Sequence, residues 1–430
     1  MLTEAERNGP SPQPTRGDLD LDHLFHCRPT GNTATATRDD VTNPLMLKGT
    51  GPMLDLAFTA EQEMLREVAR SLLVEHAPLT VVREMEDHPV GYPTGLWKQL
   101  GALDLLGLLL PEAHGGSGMG LLEGVVLYEE LGRSLAPTPH FVSCVASANA
   151  LVVGGTDAQR AEWLPRIASG EAVLSPAWVE PDGGFGPRGV QARATSTDGG
   201  ATFTLTGVKR HVAFAAAATR LVVLARTGDD AADIDLFLVD PHAEGVTLTQ
   251  QFTVASDTQY RVDLAGVRAT AADRIGDPGT GWATWTAVRD DALILLAAWA
   301  VGAAEAAQEM TVQYAKDREQ FGKPIGAFQS IAHYLADGQA TLDGARTLVH
   351  EAAWARASAR SVTRLAPMSK LFACKVLRDV TATAQQIYGG NGFTLEYDVQ
   401  LYFRRAKALQ VSWWGDRDLE ERIAADVLDN

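Results

Sequence analysis

The spacing of apolar and polar positions changes twice along the chain. From residue 54 the period is helical. Thr59, with Gln62 three residues on, makes a capping box, and Met64, Leu65, Val68 and Leu72 then share one helical face. Pro78 follows that helix. Trp97, Leu100 and the run LDLLGLLLP (103–111) continue the pattern until four glycines in EAHGGSGMG (112–120) interrupt it. LLEGVVLYEELGRSL (121–135) and TDAQRAEWLPRIASGE (156–171) predict two more helices, the second opening on a Thr156–Gln159 capping box. Around residue 172 the period shortens. ATFTLTG, LVVLART, IDLFLVD, GVTLTQ and YRVDLAG are β-branched or alternating runs separated by Gly, Asp and Pro, which predicts an antiparallel sandwich or barrel. After IGDPGTGW (275–282) the helical period returns and lasts to Asn430. The expected fold is α+β: an N-terminal helical bundle (54–171), a middle antiparallel β domain (172–276) and a C-terminal helical bundle (277–430).

Residues 1–53 follow no period and are rich in Pro, Thr, Gly, Asn and Asp, so they read as a flexible N-terminal extension. His23, His26 and Cys27 in HLFHC are potential metal ligands, but so few on a tail predict no metal site. Lys and Arg total 37 against 54 Asp and Glu, and the net charge of −17 repels phosphate backbones, which excludes nucleic acid as the expected partner. The longest apolar run, LLGLLL (105–110), stops at Pro111, far short of the ~18 residues a membrane helix needs. Cys27, Cys144 and Cys374 are widely spaced and odd in number, and no signal-peptide pattern opens the chain; both point to the cytoplasm.

The common nucleotide, zinc and hydrolase signatures are missing: no GxGxxG after a strand, no GxxxxGK[ST], no HExxH, no GxSxG. Two other segments carry chemistry. REQFGKPIGAFQ (318–329) joins two long helices through a turn with an arginine and two glycines, and QQIYGGNGF (385–393) ends a helix in a glycine cluster. A guanidinium and open backbone amides are what a pyrophosphate requires.

Taken in order, GGSGMG (115–120), GTDAQRAEWLPRIASGE (155–171), TGVKRHV (206–212), REQFGKPIGAFQSIAHYLAD (318–337) and QQIYGGNGFTLEYDVQLYFRRAKA (385–408) resemble the acyl-CoA dehydrogenase family of flavoproteins. The resemblance covers about residues 54–428. It implies FAD between the middle sheet and the C-terminal bundle, with the pyrophosphate reaching a neighbouring subunit. Arg318 and Phe321 match the turn that grips that distal half; Gln386, Gly389 and Gly390 match the glycine turn beside it.

The ring-binding half departs from the family pattern. A threonine and a serine of a TEP-x-x-GSD stretch are replaced by Val179 and Phe185 in VEPDGGFG (179–186), and a W-I-T segment by His211, Val212 and Ala213. His211 is a new candidate for stacking on a flavin or hydrogen-bonding it. The family removes an α-proton with a glutamate at one of two convergent positions. These are Trp414 and Ala292 here, and neither accepts a proton. Asp291 adjoins Ala292, but one residue turns a helix by about 100°, aiming it elsewhere. Asp290 and Asp416 share that difficulty, and Leu293 replaces an arginine expected near CoA.

Three functions follow from the resemblance. One is an acyl-CoA dehydrogenase, acting on a CoA or carrier-bound acyl thioester, in which this chain is the subunit without a base. It would pair with a related subunit and lend it the pyrophosphate half-site. Another is a homo-oligomeric dehydrogenase using a displaced carboxylate. The third is the same fold kept as a non-redox scaffold without a flavin.

Overall fold

The computed structural model describes residues 57–181 and 183–428. His23, His26 and Cys27 lie outside the described residues.

The N-terminal helices are α1 (Ala60–His76), α2 (Leu79–Glu84), α3 (Thr94–Ala102), α4 (Leu121–Arg133), α5 (Ala148–Gly154) and α6 (Asp157–Ala168), with a π-helical segment at Phe141–Ser147 before α5. Both expected capping boxes form: Thr59 and Gln62 open α1, and Thr156 and Gln159 open α6. The buried stripe of α1 differs from the expected one. Ala69, Leu72 and Leu73 are buried and Leu65 packs beside them, whereas Met64 is 65% and Val68 40% exposed. Positions 65, 69, 72 and 73 keep helical spacing, so the core-facing stripe is rotated by about one residue from the reading that included Met64 and Val68.

The middle sheet contains β1 (Leu174–Ala177), β2 (Arg193–Thr195), β3 (Thr202–Ala213), β4 (Arg220–Arg226), β5 (Ile234–Val239), β6 (Val246–Gln251), β7 (Gln259–Thr270) and β8 (Arg274–Ile275). Its order is β6-β7-β3-β2-β4-β5-β8, with β1 also on β4. Five pairings are antiparallel as expected, but β1 and β2 run parallel to β4, which makes the sheet mixed. Most of the parallel pairing lies at β1. It is four residues long, contains Pro176 and is wholly buried, so it carries no alternating signal.

Among the described residues five helices follow: α7 (Gly281–Asp317), α8 (Gln329–Ala357), α9 (Leu365–Tyr388), α10 (Val399–Val411) and α11 (Asp416–Leu428). The α4–α7 crossing depends on two glycines. A Cβ at Gly132 would lie 1.9 Å from the Trp299 carbonyl oxygen, and one at Gly302 would lie 1.8 Å from that of Glu129. Only hydrogen side chains permit backbones this close. Among the described residues, no helix is long and apolar enough to cross a membrane.

A buried ion pair ties the segment after β1 to β3. Lys209 Nζ lies 2.5 Å from Glu180 Oε1, and Glu180 also accepts from the amides of Gln191 and Ala192. Burial alone would push the ammonium toward its neutral form; the carboxylate opposes this. Glu180→Gln leaves Lys209 without its counter-charge and is expected to cost about 3 kcal/mol, read as a lowered denaturant midpoint with an unchanged slope.

Candidate functional site

The two halves expected to hold a dinucleotide are built from different elements. At the end of α7 the Arg318 amide donates to the Tyr314 carbonyl (2.9 Å), and the chain turns through a tight hairpin pairing Glu319–Gln320 with Lys323–Pro324. Phe321 sits at the tip with φ +54° and is 93% exposed; Arg318 is exposed beside it. A bulky residue holding a left-handed conformation in full solvent is costly on both counts.

The end of α9 meets this region through aromatic contacts. Tyr314 and Tyr388 stack with centroids 4.0 Å apart and planes 13° from parallel. Tyr388 Oη donates to the Met310 carbonyl, and Asn391 Nδ2 donates to Tyr314 Oη. The arginine turn and the glycine turn are thereby fixed to each other, with Gln386, Gly389 and Gly390 exposed. One detail differs from the expected open amides: the Gly389 N–H closes α9 by donating to the carbonyls of Gln385 and Gln386. A guanidinium, a side-chain amide and a Cβ-free surface remain, and these fit a phosphate.

The segments expected near the flavin ring are stitched together as well. The Arg210 amide donates to the Val179 carbonyl at 2.8 Å, one residue from the Lys209–Glu180 pair. His211 is exposed and has φ +56°. Its amide donates to Gln251 Oε1 at 2.9 Å, and its Nδ1 lies 2.8 Å from Gln259 Oε1. Val179 and Ala213 offer the ring no hydroxyl.

The Trp413–Trp414 turn sits in an aromatic cluster. Trp414 is 4% exposed. Its ring centroid is 5.0 Å from that of Trp178 and 6.1 Å from that of Trp285. Trp178 in turn meets Phe185 (5.4 Å), Trp285 (5.2 Å) and Trp413 (5.9 Å), and Trp413 meets Phe141 edge-on at 4.7 Å. Phe185 and Trp414, two of the departures from the family pattern, therefore contribute to one cluster. Ala292 is buried on α7, two helical turns beyond Trp285 on the same face, with Leu293 beside it. The Trp285 indole N–H is buried with no acceptor among the described residues.

The alternative carboxylates are engaged elsewhere. Asp291 pairs with Arg356 of α8 at 2.8 Å, and burial raises its pKa despite that arginine. Asp290 pairs with Arg422 at 2.9 Å, and Asp416 accepts from Gln410 Nε2 at 2.5 Å. None lies among the aromatic rings by any of these contacts. Among the described residues no cluster of three His, Cys, Asp or Glu is arranged to hold a metal.

Models of the N-terminal, middle and C-terminal domains of acyl-CoA dehydrogenases match residues 59–171, 175–265 and 279–428. The chain belongs to the acyl-CoA dehydrogenase family. It is 33% identical over 387 residues to the probable acyl-CoA dehydrogenase YngJ of Bacillus subtilis, covering 87% of this chain and 100% of that protein. Butyryl-CoA dehydrogenase from Megasphaera elsdenii superposes with a TM-score of 0.80 at 28% identity, over 87% of this chain and 100% of that one. The ChsE4-ChsE5 complex from Mycobacterium tuberculosis gives 0.79 at 26% identity, over 88% and 100%.

Within this family of flavoprotein oxidoreductases, Trp414 and Phe185 stand out in the sequence but their companions do not. Trp178, Trp285 and Phe141 come from three other elements, and only the abundance of tryptophan (9 in the chain) hinted at a ring cluster. Lys370, which anchors the Trp413–Trp414 turn, carried no local signal. Its Nζ donates to the carbonyls of Leu409, Ser412 and Trp414.

Proposed function

We propose that this chain is the subunit without a base in a two-chain acyl-CoA dehydrogenase. It lends the pyrophosphate half of an FAD site to a related, glutamate-bearing partner. The aromatic cluster around Trp414 carries this reading. Dehydrogenation of an acyl thioester requires a carboxylate facing the substrate's α-carbon. Here the corresponding positions are Trp414 and Ala292, and the Trp414 ring takes up volume an acyl chain would need. Asp290, Asp291 and Asp416 already serve Arg422, Arg356 and Gln410, which disfavours a displaced base.

The distal half supports the positive side. Arg318 and Phe321 are exposed at a strained turn, and Gln386, Gly389 and Gly390 are exposed beside them. A neighbouring chain's FAD would cover these groups. The flavin ring that faces this chain's own Val179 and His211–Ala213 surface finds no hydroxyl there. Similarity to a complex of two named components, ChsE4 and ChsE5, accords with a paired assembly. The substrate is a CoA- or carrier-bound acyl thioester, and the setting is the cytoplasm.

The test is FAD retention. Copurified with a glutamate-bearing relative, the complex is yellow, and Arg318→Ala weakens FAD binding by about 10- to 100-fold, the worth of one charge-assisted hydrogen bond. Unchanged occupancy in that variant removes the half-site assignment. A complex that stays colourless favours the scaffold reading, which the filled aromatic cluster also accommodates.

A further inference from the structure

We infer that Tyr128 is a redox site: it gives an electron to an oxidised tryptophan of the ring cluster and, in the same step, its phenolic proton to His140. This role does not depend on how an FAD site is divided between chains.

The surroundings of the pair fix where its protons are. Tyr128 on α4 and His140, just before the π-helical segment, are each 2% exposed. His140 Nε2 lies 3.0 Å from the Leu105 carbonyl, which only accepts, so Nε2 carries the hydrogen. Nδ1 therefore keeps its lone pair and accepts from Tyr128 Oη at 3.0 Å. Burial holds the phenol well above its ordinary pKa, so Tyr128 does not ionise by itself. Burial also lowers the His140 pKa to about 4, which keeps the imidazole neutral and Nδ1 free. A phenol that has lost an electron is a far stronger acid than such an imidazolium, so its proton passes to Nδ1. Both N–H groups of the product have acceptors already in place, the Leu105 carbonyl and the phenoxyl oxygen.

A file of rings connects this pair to the tryptophans. Tyr128 meets Phe141 at 6.3 Å between centroids, Phe141 meets Trp413 at 4.7 Å, and Trp413 meets Trp178 at 5.9 Å. Trp413 is half-buried, so the file runs from the edge of the cluster to an enclosed phenol. The Trp285 indole N–H has no acceptor among the described residues, so an oxidised Trp285 has nowhere to put its proton and stays a cation. On an indole among rings that charge has no hydrogen-bond partner; on His140 it has two.

The step balances. A one-electron oxidant, of the class of an excited flavin or a high-valent metal complex, takes one electron from Trp413. The Trp413 cation radical takes one electron from Tyr128 across Phe141. The Tyr128 O–H bond breaks and the His140 Nδ1–H bond forms, leaving a neutral indole, a tyrosyl radical and an imidazolium. A reductant of the ascorbate class returns the electron, and the proton goes back to the phenol oxygen.

The test is flash photolysis of the full chain with photogenerated tris(bipyridine)ruthenium(III) as oxidant. Tryptophan-radical absorption is expected to decay as tyrosyl-radical absorption rises, and more slowly in deuterated water. Tyr128→Phe, which keeps the ring, loses the tyrosyl signal and prolongs the tryptophan radical. Phe141→Leu, which spares both redox groups, also prolongs it. His140→Gln keeps a hydrogen-bond acceptor but no base, and the tyrosyl signal is lost. A tryptophan radical with the same lifetime in the native chain and in Tyr128→Phe overturns the assignment. So does a tyrosyl signal that persists at full yield in that variant, since it then belongs to another of the eight tyrosines. Equal rates in ordinary and deuterated water overturn the coupled proton. Near-ultraviolet circular dichroism checks that each variant keeps its ring packing. If His140→Gln does not fold, the isotope effect and Tyr128→Phe still decide.

Discussion

Supplied with an acyl-CoA, the isolated chain yields no enoyl thioester, whereas its complex with a glutamate-bearing relative turns over at least about 10³-fold faster. A positioned general base contributes roughly 10²–10⁴ in rate, and on the two-chain reading proposed above its positions are taken by Trp414 and Ala292. The deficit cannot be met by a small movement. Asp291 would have to leave Arg356, and Asp290 would have to leave Arg422, whose side chain is only 18% exposed. The acyl chain would also have to displace Trp414, whose contacts with Trp178 and Trp285 are each worth on the order of 1 kcal/mol beyond the area they bury. Steady-state turnover with a dye acceptor, measured for each chain and for the pair, separates the outcomes. Turnover by the isolated chain that disappears in Asp291→Asn would replace the two-chain reading with the homo-oligomeric one. Turnover that survives both Asp291→Asn and Asp416→Asn would exclude each of these aspartates as the base.

Local signals predicted elements better than they predicted the site. Thr59–Gln62 and Thr156–Gln159 mark helix starts because a capping box is complete within four residues. β3 and β7 alternate between buried and exposed, so their sequences show the period directly. β1 has no exposed face to alternate with, and its parallel pairing to β4 depends on where α6 delivers the chain. The aromatic cluster was legible only in part. Phe185 and Trp414 stood out by resemblance, but Phe141 reaches Trp413 from a π-helical segment, whose wider turn is no simple function of apolar spacing. The contacts of His211 are not local either: Gln251 and Gln259 reach it from β6 and β7, 40 and 48 residues further along the chain.

Lys370→Met should destabilise the protein by about 3–5 kcal/mol and loosen the Trp413–Trp414 turn. Lys370 is fully buried, and its ammonium has three carbonyls as partners: Leu409 at 3.1 Å, Ser412 at 3.0 Å and Trp414 at 3.1 Å. Methionine fills the volume but takes the ammonium donor from the Ser412 and Trp414 carbonyls, while Leu409 keeps the Ser412 hydroxyl at 3.4 Å, and each orphaned carbonyl costs roughly 1–3 kcal/mol against the relief of no longer burying a charge. The turn has little margin. Trp413 and Trp414 hold φ of +52° and +65°, and left-handed backbone costs about 1–2 kcal/mol per residue. Once the anchor is gone, both residues gain by relaxing, and the indoles they seat among Phe141, Trp178 and Trp285 become wetter. A red shift in tryptophan emission below the unfolding midpoint would report this.

The pH dependence distinguishes this anchor from ordinary packing. Burial lowers the Lys370 pKa, with Asp416 and Asp418 opposing the shift. Between that lowered value and the ordinary lysine range, the unfolded chain binds a proton that the folded chain does not. Stability linked to Lys370 therefore rises with pH across this window and is smallest below the folded-state pKa, where both states are charged. The neutral amine still donates to the turn. The stability gap between the native chain and Lys370→Met should consequently widen from neutral pH toward the alkaline end of the window, as read from guanidinium midpoints of the pair. A gap below about 1 kcal/mol, or one that narrows as pH rises, would mean that the strained turn is held by its indoles and not by the buried ammonium.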